Sequence, residues 1–159
     1  MKVVTAAEMR EIDRSAIEDF GIPAEVLMNS AGKYIAEFIN GEFSGSAVHI
    51  ICGTGNNGGD GFTAAYYLLN AGHTVKLTLC GTKERVSPVS RIFMHICEKS
   101  GILIDELTDT VQAENLKFDS GIIVDAIFGT GFSGEPSELH SLIFKKINCS
   151  GLRVISLDM

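Results

Sequence analysis

The sequence predicts a doubly wound α/β fold, a mostly parallel sheet with helices on both faces, preceded by two extra N-terminal helices. Three observations carry this. The runs Ala47-Val48-His49-Ile50-Ile51 and Gly121-Ile122-Ile123-Val124-Asp125-Ala126 are short, β-branched and apolar on both faces, as strands inside a parallel sheet must be. The segments between such runs place apolar residues at three- and four-residue spacing. Cys52 to Gly61 joins the first strand to a helical pattern through a glycine-rich turn.

In chain order, Thr5-Ala6-Ala7-Glu8 has capping-box form, and Met9, Ile12, Ala16, Ile17 and Phe20 repeat with helical period until Gly21. Ile22-Pro23 turns the chain into a second helix over 24–39, where Gly32 is expected to pack closely against the first helix or a second subunit. Strands are expected over 47–51, 74–80, 102–104, 121–126 and 153–158, and helices over 62–69, 87–100, 109–116 and 137–147. Pro88 suits a first helical position. There is no repeat or linker, so residues 1–159 read as one domain.

A hydrophobic fraction of 45% and a mean hydropathy of +0.21 suit a well-covered sheet. A net charge of −7 and a pI near 5.0 argue against a nucleic-acid partner, whose phosphates this field would repel. Cys52, Cys80, Cys97 and Cys149 form no C-x-x-C pair and read as reduced thiols of a cytoplasmic protein. Met1-Lys2-Val3-Val4 meets Glu8 and Arg10 too soon for a secretion signal, and no apolar run reaches membrane-spanning length, so no membrane partner is expected.

The turn Cys52-Gly53-Thr54-Gly55-Asn56-Asn57-Gly58-Gly59-Asp60-Gly61 has glycine at five of ten positions, which would let the backbone take positive φ and let a ligand approach the main chain. Free N–H groups at the start of the next helix would favour a pyrophosphate. Gly59-Asp60 stands where a P-loop needs Lys and Ser or Thr. The next strand ends Leu79-Cys80-Gly81-Thr82-Lys83, without the acid that holds the ribose in dinucleotide dehydrogenases. The polar set Asn56, Asn57 and Asp60 is therefore more than such a turn requires.

Ligands of open parallel sheets bind outside the carboxyl ends of the strands. There the first strand delivers Asn56, Asn57 and Asp60, the fourth Asp125 and the fifth Asp158. Asp125 follows the apolar run Ile122-Ile123-Val124 and needs a partner, a cation or a proton; the competing role is a helix cap or loop brace. The loop Gly129-Thr130-Gly131-Phe132-Ser133-Gly134-Glu135 after it is long enough to fold over a ligand. His49, His73, His95 and His140 never pair at metal-ligand spacing, and His49 reads as a hydrogen-bonded core residue. Ser133 lacks a nucleophile-elbow context. Lys83 and Arg85 read equally as phosphate contacts or as a solvated loop.

Thr5 to Asp13, Leu27-Met28-Asn29-Ser30-Ala31-Gly32, Cys52 to Gly61, Val124-Asp125-Ala126-Ile127-Phe128-Gly129-Thr130-Gly131 and Ser156-Leu157-Asp158 together resemble the YjeF N-terminal family, the NAD(P)H-hydrate epimerases. The resemblance implies a Rossmann-like, usually dimeric protein that interconverts the R and S epimers of hydrated NADH or NADPH (NADHX and NADPHX). A separate or fused NAD(P)HX dehydratase would complete the repair. It puts the hydrated nucleotide on Asn56, Asn57, Gly58, Gly59 and Asp60, on Gly129 to Glu135 and on Asp158, and K+ on Asn57 and Asp125. Asp125, and after it Asp158, are the expected proton donor and acceptor. Thr54 stands where relatives often have proline. Family members continue past the last strand with Pro-Ser-Gly-Leu-Asp, whose serine completes the potassium site. On that comparison the domain reads as truncated at its C-terminus, with weak nucleotide binding and slow turnover expected. Two rival readings are a non-catalytic nucleotide-binding or scaffold module of the same fold and an ordinary dehydrogenase, the latter disfavoured by the missing ribose acid.

Overall fold

The sheet strands are β1 (Val48–Cys52), β2 (Val75–Cys80), β3 (Ile104–Leu107), β4 (Ile122–Ala126) and β5 (Arg153–Ser156), in the order β3-β2-β1-β4-β5 with every pairing parallel. The structure is a computed structural model that describes residues 4–119 and 121–157. Helices α1 (Ala6–Glu18) and α2 (Ala24–Glu42) precede the sheet, and α3 (Asn56–Asn70), α4 (Pro88–Lys99), α5 (Thr110–Asn115) and α6 (Glu138–Asn148) connect its strands. The chain runs outward from β1 to β2 and β3, then returns across the sheet to β4 and β5, so the topological switch point lies between β1 and β4.

Two cores follow from strands that are apolar on both faces. On one face Ile39 of α2, Phe62 and Leu68 of α3 and Met94 of α4 pack on Ile50, Leu77 and Val124. On the other, Ile143 and Ile147 of α6 pack on Ile51 and Ile123. Gly32 serves the first core. A Cβ there would sit 2.3 Å from the Thr63 Cβ, so it sets how closely α2 and α3 approach. Its expected contact with α1 or a second subunit is therefore replaced by one with α3.

The N-terminal capping box forms as read: Thr5 Oγ1 accepts from the Glu8 N–H at 3.3 Å, and Glu8 Oε2 accepts from the Thr5 N–H at 2.7 Å. Yet α1 buries none of its residues, and Phe20 just past its end is 78% exposed. Asp109 and Ser137 cap α5 and α6 through side-chain acceptors. The expected strand over 102–104 is displaced. Leu103 is 84% exposed and the pairing with β2 begins only at Ile104, because this edge strand has one neighbour and carries Asp105 and Glu106 towards solvent. Helix α3 starts six residues earlier than expected, which moves Asn56, Asn57 and Asp60 from a turn onto its first turns. No helix among the described residues is long and apolar enough to cross a membrane.

His49 is the hydrogen-bonded core residue expected of it. It is buried within β1, Nε2 lies 2.9 Å from Thr78 Oγ1, and the ring packs on Phe118. Burial, helped by Lys76 and opposed by Asp119, lowers its pKa from 6.5 to about 4. The unfolded chain binds this proton more readily, so stability falls as pH drops from 6.5 towards 4. Urea unfolding should lose roughly 2–3 kcal/mol between pH 7 and 4.5 through this group. His49→Gln should lose that much less over the same interval, and parallel pH profiles for the two proteins would refute the assignment.

Candidate active site

A cavity of about 1340 Å³ opens over the carboxyl ends of the strands, as the topology requires. Its floor is built from Gly53 to Asn57 and Asp60, its sides from Gly81, Thr82 and Arg85 beyond β2 and from Ile127 to Phe132 beyond β4. Met9, Arg10 and Asp13 of α1 close one edge, and Leu157 lies at the tip of β5.

The glycines of the central turn act by space. None of Gly53, Gly55, Gly58, Gly59 and Gly61 takes positive φ, contrary to the expectation from composition. A Cβ on Gly53 would lie 2.1 Å from the Ile127 carbonyl oxygen, and one on Gly58 would lie 1.9 Å from that of Gly53. Gly59 abuts Met28 and Ser90, and Gly61 abuts Cys52 and Ala126. The absent side chains let α3 begin immediately above β1 and beside β4. Gly55 alone of these five has open space around its Cβ position. It is the N-cap of α3 and supplies no side-chain acceptor, which leaves the first-turn N–H groups directed at the cavity without a side-chain cap.

The start of α4 braces this floor. Ser87 N–H donates to the Thr54 carbonyl at 2.8 Å, Ser87 Oγ to Asn56 Oδ1 at 3.0 Å, and Ser90 Oγ to the Gly55 carbonyl at 3.0 Å. Asn57 is buried; its Nδ2 reaches the Leu157 carbonyl at 3.5 Å, while its Oδ1 is buried without a hydrogen-bond partner among the described residues. An orphaned buried oxygen of this kind is costly unless something electropositive meets it.

Asp125, the penultimate residue of β4, is half-buried and does not itself line the cavity, whose wall begins two residues on at Ile127. Its Oδ1 accepts from the Ile127 N–H at 3.1 Å, and the Leu157 N–H donates to its carbonyl at 2.9 Å. Burial raises its carboxyl pKa against the lowering effect of the Ile127 N–H. Cys80, a cavity-lining thiol, is pushed up to about 12, first by burial and then by Asp125. Asp158 lies outside the described residues.

Of the other expected site residues, Asn56, Asn57, Asp60 and Gly129 to Phe132 line the cavity. Gly58 and Gly59 pack behind the floor, and Ser133, Gly134 and Glu135 lie off the cavity wall. Phe132 stacks on Phe128 with centroids 3.9 Å apart and planes 12° from parallel, and His140 packs against Phe128 at 4.7 Å. His140 Nδ1 lies 2.7 Å from Ser137 Oγ, and burial lowers its pKa, which favours the neutral ring. Arg10, Asp13 and Thr108 escaped the sequence reading as site residues, and His140 was weighed there only as a metal ligand. The helical spacing of Met9, Arg10 and Asp13 shows that they share a face, but only the Arg10 Nη1 hydrogen bond to the Thr130 carbonyl, 3.0 Å long and 120 residues away, shows where that face points.

Residues 24–159 match the protein family described as YjeF-related protein N-terminus. The chain belongs to this family. It is 35% identical to the NAD(P)H-hydrate epimerase of Rhodopirellula baltica over 98% of this chain and 64% of that protein. A similar match, 35% identical, covers 68% of the NAD(P)H-hydrate epimerase of Weissella koreensis. The bifunctional NAD(P)H-hydrate repair enzyme Nnr of Moorella thermoacetica is 36% identical, and this YjeF-type chain spans 31% of it. The chain thus covers about a third of the bifunctional relatives and about two thirds of these epimerases. The crystal structure of yeast YNL200c superimposes with a TM-score of 0.83 at 26% identity, covering all of this chain and 70% of that one. The fold agreement extends to the two N-terminal helices, since the whole chain is covered.

Proposed function

We propose that this YjeF-type domain is an NAD(P)H-hydrate epimerase that interconverts the R and S forms of NADHX and NADPHX. The observation that carries the reading is a carboxyl group of raised pKa, Asp125, on β4 at the switch point, two residues before the Ile127 wall of a cavity large enough for a dinucleotide, whose floor is the uncapped start of α3. Epimerisation breaks the ring carbon–oxygen bond of the hydrate as the departing hydroxyl takes a proton. It then adds water to the other face as a proton is lost. A carboxyl group that holds its proton more readily than an ordinary aspartate suits the first role, and its conjugate base suits the second. Asp125 is the group assigned to that work, with Asp158 as the second candidate. The free N–H groups at Asn56 and Asn57 suit the diphosphate, and the Phe128–Phe132 stack offers an exposed ring face to a planar base.

The donor set fits K+. The unpartnered Asn57 Oδ1 and the Asp125 carboxylate are hard oxygen donors of the kind such an ion takes, and bound K+ would supply local positive charge without redox chemistry. We assign a cytoplasmic homodimer, supported by the exposed apolar side chains of Ile12, Ile17, Phe20, Tyr34 and Phe38 on α1 and α2 or at their ends. Its working partner is the NAD(P)HX dehydratase, an activity consistent with the bifunctional naming of the longer relatives. The test is the rate at which the purified protein equilibrates R- and S-NADHX above the uncatalysed rate, by chromatography, in potassium and in sodium. Faster equilibration that depends on potassium is expected. Silence in both salts alongside saturable NADHX binding would favour a binding module instead.

A further inference from the structure

At the β2 end of the cavity stands a cation that the epimerisation chemistry does not use. Arg85 closes the 3₁₀ turn Lys83–Arg85, its N–H donating to the Thr82 carbonyl at 3.0 Å, and its exposed side chain lines the cavity with Thr82 and Gly81. The neighbouring cations are committed. Lys83 pairs with Glu98 at 2.8 Å, and Arg91 donates to the carbonyls of Glu84 and Val86. Arg85 has no side-chain hydrogen bond or ion pair among the described residues. The adjacent acid, Glu84, is turned to its own backbone N–H and the Thr82 hydroxyl and does not line the cavity.

The strand order β3-β2-β1-β4-β5 puts the β2 tip on the opposite side of the central turn from Asp125. In a dinucleotide laid across this switch point, the nicotinamide half belongs on the β4 side and the adenosine ribose at the β2 tip. A carboxylate at that tip would select a free ribose 2′-hydroxyl, whereas a nearby arginine accommodates a 2′-phosphate. This chain has Cys80-Gly81-Thr82 at the tip and a free guanidinium five residues beyond Cys80.

We propose that Arg85 binds the 2′-phosphate of the adenosine ribose, making this chain selective for the phosphorylated dinucleotide, NADPHX, over NADHX. The inference rests on the epimerase reading only for the hydrated ring, so its test uses unhydrated ligands. Titration calorimetry of the purified protein with NADP+ and NAD+ should show tighter NADP+ binding by roughly tenfold. The preference should shrink as salt is raised, because the guanidinium is exposed. Arg85→Ala should bring the ratio close to one by weakening NADP+ alone. Arg85→Lys should keep part of it, having the charge without the planar fork. Equal affinities in the wild type, no saturation by either ligand, or an equal weakening of both in Arg85→Ala would overturn the assignment. Failure to epimerise with the ratio intact would count against the proposed activity and leave Arg85 in place.

Discussion

Replacing Asp125 by asparagine is expected to slow epimerisation by about 10²–10⁴-fold and, in the same protein, to raise the urea midpoint at neutral pH. Both effects come from one cause. The Asp125 carboxyl is half-buried, and burial outweighs the single N–H it accepts, so its folded pKa lies above the usual carboxylate value. Over the pH range between the unfolded and folded values the native chain binds the extra proton, so stability contributed by the protonated form is lost as pH rises. Above that range the native state carries the ionised carboxylate at a cost that the unfolded chain does not bear. Asparagine keeps an oxygen that can accept from Ile127 but can neither carry the charge nor give the departing hydroxyl the proton it requires. With the rate measured in potassium and the urea midpoint in sodium, so that potassium binding does not enter the stability comparison, the variant should be slower and more stable. Wild-type rates in the variant would leave Asp125 as a loop brace. A lower midpoint would mean that the carboxylate is stabilised by more than the Ile127 N–H.

Most of the frame that positions this carboxyl was legible because the signals are local. Both-face apolar strands and the Thr5–Glu8 box depend on residues within a few positions of each other, and each formed as read; the helices expected from Asp109 and Ser137 also formed, with those two residues as their N-caps. What escaped the sequence depends on distant partners. The reason Gly53 is glycine is the carbonyl of Ile127, and the reason Gly32 is glycine is Thr63. In the central turn composition suggested positive φ, whereas the fold needs clearance; at Gly32 close packing was expected, but against a different partner. Helix α1 has a clear apolar period but buries nothing, so its place over the cavity follows from Arg10 and Thr130 rather than from its stripe. The third strand was misplaced because an apolar triplet outweighed an edge strand whose pairing residues include Asp105 and Glu106. Asn57 could be read as a polar residue at the right strand end, but the burial of its Oδ1 without a partner becomes visible only once Leu157 occupies its amide.

Two alanine substitutions three residues apart should separate clearance from ligand approach. Gly→Ala in an unobstructed helical position stabilises by up to about 1 kcal/mol. Gly58→Ala is expected to do the reverse, costing about 3 kcal/mol or more, because its Cβ would fall 1.9 Å from the Gly53 carbonyl oxygen and 2.8 Å from its carbon. Both partners are backbone, so no rotamer change relieves the overlap. Either α3 shifts away from β1 or the turn at Gly53 moves, and that turn is already against Ile127. Gly55→Ala meets nothing within 4 Å and keeps an ordinary φ of −87°, so its urea midpoint should stay within about 0.5 kcal/mol of wild type. Its Cβ would instead project at the open N-cap of α3, where an approaching phosphate needs the bare backbone. Dinucleotide affinity should therefore fall about tenfold in Gly55→Ala with stability intact. In Gly58→Ala, affinity and stability should fall together. Unchanged affinity in Gly55→Ala would move the diphosphate off the start of α3, and an unchanged midpoint in Gly58→Ala would mean that the turn yields where its contacts say it cannot.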